Sequence, residues 1–204
     1  MTRELLVVRH GETQWATAGK HTGRTDIPLT DLGRQHAAAA GKMLGGWYID
    51  RCYTSPLSRA RETAELAAVD APTFVDDRLV EWDYGIFEGR RTSEIRREVP
   101  GWTIWSSHDG AGESVDDVGR RIDAFIDDLL DPATAPERGS GVDIVFAHGH
   151  SLAVLIARWL GLAAIEGRRF KLATATVSWL SFHREDRVLK VLNHRLGDQL
   201  PGPG

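Results

Sequence analysis

The stretch Leu5–Thr13 reads LLVVRHGET, and it decides how the rest of the chain is interpreted. Its first four residues form a short apolar run with two β-branched side chains, which is typical of a buried strand. The run stops at Arg9, His10 and Gly11, where polar groups suddenly crowd together. In open parallel sheets, ligands bind beyond the carboxyl ends of the strands, so this pattern predicts a site at the end of the first strand.

A second stretch repeats the same arrangement far along the chain. Val142–Ala147 is the clearest strand in the sequence, and it is followed directly by His148, Gly149 and His150. Because the carboxyl ends of parallel strands meet at one edge of a sheet, we expect the two polar clusters to converge there.

The remaining sequence alternates predicted helices with predicted strands. Thr30 predicts the N-cap of a helix that continues to Leu44, and Ser114 predicts the N-cap of a helix that runs to about Leu130. The other predicted elements are a strand over 49–54, helices over 57–68 and 152–160, and a hairpin of strands over 177–182 and 188–192. This alternation predicts an α/β fold, a three-layer α/β/α sandwich with a mostly parallel central sheet.

The length of 204 residues predicts a single domain over 1–204. The stretch from about residue 81 to residue 113 is rich in aromatic side chains and weakly periodic, which predicts an insertion that covers the site. The last four residues, PGPG, predict a frayed C-terminal tail.

Composition excludes several classes of protein. The formal net charge is −4, whereas a nucleic-acid-binding face is basic, so no nucleic-acid partner is expected. No apolar stretch approaches the roughly 20 residues of a membrane span, so no membrane partner is expected. Cys52 is the only cysteine, which excludes an internal disulfide and a multi-cysteine zinc site and is compatible with a cytoplasmic location.

The cationic side chains of the clusters point to an anionic ligand. Arg9 and Arg59, the latter on the helix over 57–68, present planar donors that grip phosphate bidentately. A histidine among them, such as His10, can serve as a nucleophile or as an acid or base.

Five blocks of the sequence together resemble the histidine phosphatases, also called the phosphoglycerate mutase-like superfamily. The blocks occur in the family's order and are LLVVRHGET at 5–13, HTGRTDIPLTDLGRQHA at 21–37, SPLSRARETA at 55–64, LVEWDYGIFEG at 79–89 and VFAHGHS at 145–151. One RHG is a weak signal, whereas five blocks in order are strong. The resemblance implies a phosphoglycerate mutase-like fold.

The resemblance also implies a mechanism and its residues. His10 stands where the family's phosphorylated histidine stands, Arg9, Arg59 and His148 would hold the phosphoryl oxygens, and Glu81 would be the proton donor. Glu81 must be protonated to act as an acid, and the aromatic residues beside it can desolvate it, which predicts an acidic pH optimum. The family needs no metal and no cofactor, so neither is expected here, and the expected partner is a small phosphorylated metabolite.

The resemblance favours a phosphatase over a mutase. The segments ERHYG and RR-S-[YF]-D-PPP, which are typical of phosphoglycerate mutases, are absent. The sequence looks most like small broad-specificity acid phosphatases of actinobacteria and sedoheptulose-bisphosphatase-like members. Thr22 and Gly23 are candidate substrate contacts and Ser114 is a further binding candidate, whereas Ala16 replaces an asparagine that contacts phosphate in many members.

Alternatives remain open at this stage. Asp83 and Glu88 compete with Glu81 for the acid role, and His150 is interpreted as structural. The arginine pairs, 168–169 among them, are interpreted as solvated faces. A mutase, a weakly catalytic phospholigand-binding module and a metal-dependent hydrolase are the competing functions, and Trp47 is compatible with a homodimer surface.

Overall fold

A six-stranded sheet forms the centre of the computed structural model, which describes residues 3–106, 112–134, 139 and 141–195. The strands are β1 Glu4–Arg9, β2 Arg51–Thr54, β3 Thr73–Val75, β4 Val142–Ala147, β5 Val177–His183 and β6 Asp186–His194. Their order across the sheet is β3-β2-β4-β1-β5-β6. The pairs from β3 to β1 are parallel, whereas β5 is antiparallel to both β1 and β6.

Helices cover both faces of this sheet. They are α1 Gln14–Thr17, α2 Asp31–Met43, α3 Ser58–Ala67, α4 Thr92–Glu98, α5 Val115–Leu130 and α6 Gly149–Trp159. The alternation of a pleated strand divides β1 between two cores, because Leu5 and Val7 pack with α5 and α6 while Leu6 and Val8 pack with side chains of α3. This arrangement confirms the α/β fold class with a mostly parallel sheet.

Several local predictions agree with the structure. The Thr30 side chain caps α2 by accepting from the Gly33 N–H, and Ser114 caps α5 in a reciprocal capping box with Asp117. The strands β5 and β6 form the predicted hairpin. Three short elements, α1, β3 and α4, carry no clear period in the sequence and were not predicted. The PGPG tail lies outside the described residues.

The aromatic stretch that begins at Glu81 packs largely inward. Trp82, Tyr84, Phe87 and Trp102 are buried in the core that also contains the apolar faces of α5 and α6. Their burial fixes the backbone of this stretch beside the carboxyl ends of the strands.

The Trp47 ring is half-buried. It packs edge-on against Trp179, with 4.9 Å between the ring centroids. Its apolar surface is therefore covered largely within the chain.

The sheet register brings the two polar clusters together. Arg9 pairs with Ala147, and Thr54 pairs with Phe146, so the residues that follow β1, β2 and β4 leave the sheet at one edge. The opposite end of the sheet holds a buried carboxylate, Asp143, which accepts hydrogen bonds from the guanidinium groups of Arg3 and Arg51.

Candidate active site

His10 lies at the carboxyl end of β1 with one imidazole nitrogen already engaged. Its Nδ1 lies 2.7 Å from the carbonyl oxygen of Gly11, which only accepts, so the hydrogen-bond pattern assigns the proton to Nδ1 and a lone pair to Nε2. Burial, followed by the charges of Arg9 and Arg59, holds the His10 pKa well below its ordinary value. The imidazole is therefore a neutral base or nucleophile with its free nitrogen at Nε2.

A glycine is required next to this histidine. A Cβ atom at Gly11 would lie 2.5 Å from the backbone oxygen of Gly33, in the first turn of α2. The close approach of the two backbones holds the Gly11 carbonyl, and so the ring of His10, in place.

His148 and Arg59 form a fully buried pair behind His10. The His148 ring centroid lies 5.2 Å from that of His10. Arg59 Nε donates to His148 Nδ1 at 3.1 Å, so the neutral ring carries its proton on Nε2, which lies 2.7 Å from the Ser55 hydroxyl. Burial, with Arg59 second, holds the His148 pKa well below its ordinary value.

Most N–H donors of the Arg59 guanidinium are used in hydrogen bonds within the protein. Nη1 donates to the carbonyl of Thr25 at 2.9 Å, and Nη2 donates to the carbonyls of Thr22 and Gly23 at 3.2 and 2.8 Å. Together with the bond to His148, these contacts use four of the five N–H donors of an arginine. The side chain therefore organises the loop over residues 22–25 and leaves a single N–H for other partners.

Arg9 faces the cavity beside His10. Its Nη1 donates to the carbonyl of Leu172 at 2.7 Å. Its Nε is buried without a hydrogen-bond partner among the described residues. A buried donor without a partner is costly, so this N–H marks a place where an anionic oxygen would bind.

Glu81 is held at the start of α6 by three backbone N–H groups. Its Oε1 accepts from Trp82 and Ser151, each at 2.9 Å, and its Oε2 accepts from His150 at 3.0 Å. The first N–H groups of a helix have no partner within it, and together with the positive end of the helix dipole they favour a carboxyl group in this position. Glu81 is 4% exposed and lines the cavity.

The two competing carboxylates are engaged elsewhere. Glu88 accepts from the Gly23 N–H at 2.7 Å, and Asp83 accepts from the Gly85 N–H at 2.8 Å. Neither residue lines the cavity, whereas Glu81 does.

Tyr84 and His150 form a polar pair in the cavity wall. The Tyr84 hydroxyl lies 2.6 Å from His150 Nδ1. Burial raises the pKa of Tyr84 well above its ordinary value, so the phenol keeps its proton. His21 lies beside this pair, and burial together with the charge of His150 lowers its pKa to about 4. The interpretation of His150 as merely structural is therefore incomplete, because it borders the space that a ligand would fill.

These groups surround a cavity of about 350 Å³. That volume is at the small end of the range for small-molecule sites. Besides Arg9, His10 and Glu81, its walls are formed by Ala16, Lys20, His21, Thr22, Tyr84, Trp105, Gly149, His150, Arg168, Phe170, Lys171 and Leu172. Arg59 and His148 support this cavity from behind without lining it.

The three binding candidates take different places. Thr22 lines the cavity. Gly23 is buried behind it, and its N–H is used by Glu88; a Cβ at Gly23 would lie 2.4 Å from the Trp82 carbonyl. The Ser114 hydroxyl is used in the α5 cap and does not line the cavity.

Sequence reasoning missed part of the cavity wall. The structure starts α6 at Gly149, three residues before the predicted start at Leu152, and thereby points two amides of its first turn at Glu81. Arg168, which was interpreted as part of a solvated face, borders the cavity together with Lys171. No periodic pattern marks these residues, since they lie in a 3₁₀ turn and the irregular segment after it.

The described residues contain no group of three or more His, Cys, Asp or Glu side chains that could hold a metal ion. None of the helices in the described ranges is long and apolar enough to cross a bilayer.

Comparisons with known proteins give the family of this chain. A family model, the histidine phosphatase superfamily (branch 1), matches residues 5–195. An acid phosphatase of Mycobacterium tuberculosis is 41% identical over 191 residues, covering 92% of this chain and 91% of that protein. A sedoheptulose 1,7-bisphosphatase of Saccharomyces cerevisiae is 34% identical over 189 residues, covering 79% of this chain and 69% of that protein.

A solved structure extends the likeness to three dimensions. It is the product of an open reading frame of Mycobacterium tuberculosis, similar to this chain with a TM-score of 0.84 and 39% sequence identity. The match covers 95% of this chain and 98% of that one. The chain belongs to the histidine phosphatase superfamily, branch 1.

Proposed function

We propose that this chain is a phosphomonoesterase that hydrolyses small phosphorylated metabolites through a phosphohistidine on His10, without a metal. The observation that carries the proposal is the orientation of His10. Its Nδ1–H is tied to the Gly11 carbonyl, which leaves a neutral Nε2 beside the unpartnered Arg9 Nε. A neutral nucleophile next to a free cationic donor suits attack on a phosphate ester.

In the first step, His10 Nε2 attacks phosphorus in line with the ester oxygen. A nitrogen–phosphorus bond forms while the phosphorus–oxygen bond to the leaving group breaks. Arg9 stabilises the negative charge on the phosphoryl oxygens, while Arg59 and Ser55 fix the His148 ring that lies next to His10. Glu81 gives its proton to the leaving oxygen, which departs as an alcohol.

In the second step, Glu81 takes a proton from a water molecule as that water attacks phosphorus. The nitrogen–phosphorus bond breaks, inorganic phosphate forms, and His10 returns to its neutral state. The backbone amides that hold Glu81 keep its carboxyl group at the cavity wall for both proton transfers. Arg9 thus supplies charge stabilisation of the kind that a metal ion provides in other phosphatases.

Two of the relatives are named for hydrolysis, whereas probable phosphoglycerate mutases are 31–32% identical to this chain, so the mutase remains the alternative to be tested. The acid phosphatase covers nearly the whole chain at 41% identity, and the bisphosphatase is also named for a hydrolytic reaction. The small cavity favours metabolites over protein substrates.

Hydrolysis in the presence of a chelator tests whether the enzyme requires a metal ion. We expect release of phosphate from p-nitrophenyl phosphate at an unchanged rate after dialysis against excess EDTA. A loss of activity that Mg²⁺ or Zn²⁺ restores would contradict the proposal. Incubation with 3-phosphoglycerate separates the mutase alternative, since a phosphatase releases phosphate and a mutase forms 2-phosphoglycerate.

The pH profile tests the charge state of His10. Because burial depresses its pKa, His10 stays neutral as the pH falls below 6.5. We therefore expect no loss of kcat/KM as the pH falls below 6.5, whereas an imidazole of ordinary pKa would cost roughly tenfold per unit. A decline in kcat/KM that begins at pH 6.5 would show that the pKa of His10 is not depressed.

A further inference from the structure

The rim of the cavity carries more positive charge than a single phosphate requires. The chain has a formal net charge of −4, yet Lys20, Arg168 and Lys171 join Arg9 in the cavity wall. Among the described residues, the one carboxylate that lines the cavity is Glu81, and it is already held by backbone amides. A local excess of cations in an acidic chain is typical of a site for anions.

The segment that carries two of these cations is fixed in place. The Leu172 carbonyl accepts from Arg9 Nη1 at 2.7 Å. Asn193 holds the same segment from the other side, because its Nδ2 donates to the Lys171 carbonyl at 2.5 Å and its Oδ1 accepts from the Ala173 N–H at 2.8 Å. The backbone under Lys171 is therefore tied both to the anion-binding arginine and to β6.

The rim cations are only partly neutralised within the protein. Lys171 is exposed and has no ion pair among the described residues. Lys20 Nζ lies 5.3 Å from the centroid of the Trp15 ring and likewise has no ion pair in the described ranges. Arg168 pairs with Glu166 at 3.2 Å, but Glu166 also pairs with Arg169.

We propose that Lys20, Arg168 and Lys171 form a subsite for a second anionic group of the substrate, a phosphate or a carboxylate. The preferred substrates are then small metabolites that carry this group a few carbons from the phosphate that is hydrolysed. The assignment of the reacting phosphate to the floor beside His10 rests on the proposed function. The rim subsite itself rests on the charges and tethers described above.

Ligand binding to an inactive variant measures the contribution of the subsite without hydrolysis of the ligand. The His10→Ala variant is titrated by calorimetry with 3-phosphoglycerate and with glycerol 3-phosphate, which share a three-carbon skeleton and differ in the carboxylate. A second pair of ligands, fructose 1,6-bisphosphate and fructose 6-phosphate, differs in one phosphate and tests phosphate as the second anionic group. We expect at least one doubly anionic ligand to bind about tenfold more tightly than its partner, and the pair that shows it identifies the second group.

Substitution of the rim cations tests whether they cause the preference for doubly anionic ligands. In the His10→Ala background, Arg168→Gln with Lys171→Gln should reduce the preference to about twofold, whereas Lys42→Gln, an exposed lysine of α2, should leave it intact. The preference should also shrink at high salt, since the rim is open to solvent. Equal affinities within both pairs, or a preference that the rim substitutions leave unchanged, would overturn the proposal.

A separate measurement distinguishes failure of the subsite proposal from failure of the proposed function. Wild-type turnover of p-nitrophenyl phosphate tests the hydrolytic chemistry without a second anionic group. Turnover without a binding preference would defeat the subsite alone. A binding preference without turnover would defeat the phosphatase and leave the subsite standing.

Discussion

His10→Ala is expected to lower kcat for phosphate release by at least about 10⁴-fold. The substitution removes the neutral imidazole whose Nε2 is the proposed nucleophile, and water would have to attack the ester directly. The measurement is steady-state hydrolysis of p-nitrophenyl phosphate by purified wild type and variant.

His36→Ala is the matched control, because His36 is an exposed histidine on α2 that does not line the cavity. It should retain wild-type activity. The circular dichroism spectrum of His10→Ala should match that of the wild type, so that a folding defect is recognised. A His10→Ala protein that retains a tenth of the activity would contradict the assignment of the nucleophile.

Arg59→Ala is expected to damage both stability and catalysis. Three carbonyls of the loop over residues 22–25 and the Nδ1 of His148 would lose their donor in a buried setting. Unpaired buried polar groups cost roughly 1–3 kcal/mol each before relaxation, so a loss of about 3 kcal/mol in the free energy of unfolding is expected. With the His148 ring next to His10 no longer held and Thr22 of the cavity wall displaced, kcat/KM should fall by about 10²-fold.

Arg61→Ala provides the comparison, since Arg61 lies on the same helix, α3, and is exposed. Its free energy of unfolding, measured by urea denaturation, should stay within about 0.5 kcal/mol of the wild type. Arg59→Lys keeps a positive charge but lacks the planar fork, so it should not restore activity. Equal stability and activity of the Arg59→Ala and Arg61→Ala proteins would show that the contacts of Arg59 have no consequence.

The sequence predicted the scaffold of the site well because strands and caps depend on local patterns. The apolar runs before Arg9 and before His148 lie in neighbouring parallel strands, as their composition indicates. Thr30 and Ser114 cap their helices because a hydroxyl at that position satisfies an N–H of the first turn. The convergence of the two polar clusters followed from the sheet rule alone.

The walls of the cavity could not be predicted in the same way. Lys20 and Lys171 lie 151 positions apart in the sequence and meet at one cavity only through the folded chain. The amide cradle of Glu81 depends on where α6 begins, and helix ends are not sharply marked in sequence. The loop-binding role of Arg59 was missed for a similar reason, since its acceptors are backbone carbonyls with no sequence signature.

The most direct test of the account is to trap the phosphorylated enzyme. Wild-type protein is mixed with excess substrate for a few milliseconds, quenched in alkali, digested and analysed by mass spectrometry, because phosphohistidine survives base and is lost in acid. We expect one phosphoryl group, located on the peptide that contains His10 and absent from the His10→Ala protein. Active enzyme that shows no phosphoryl group at His10, or carries it on another residue, would contradict the account.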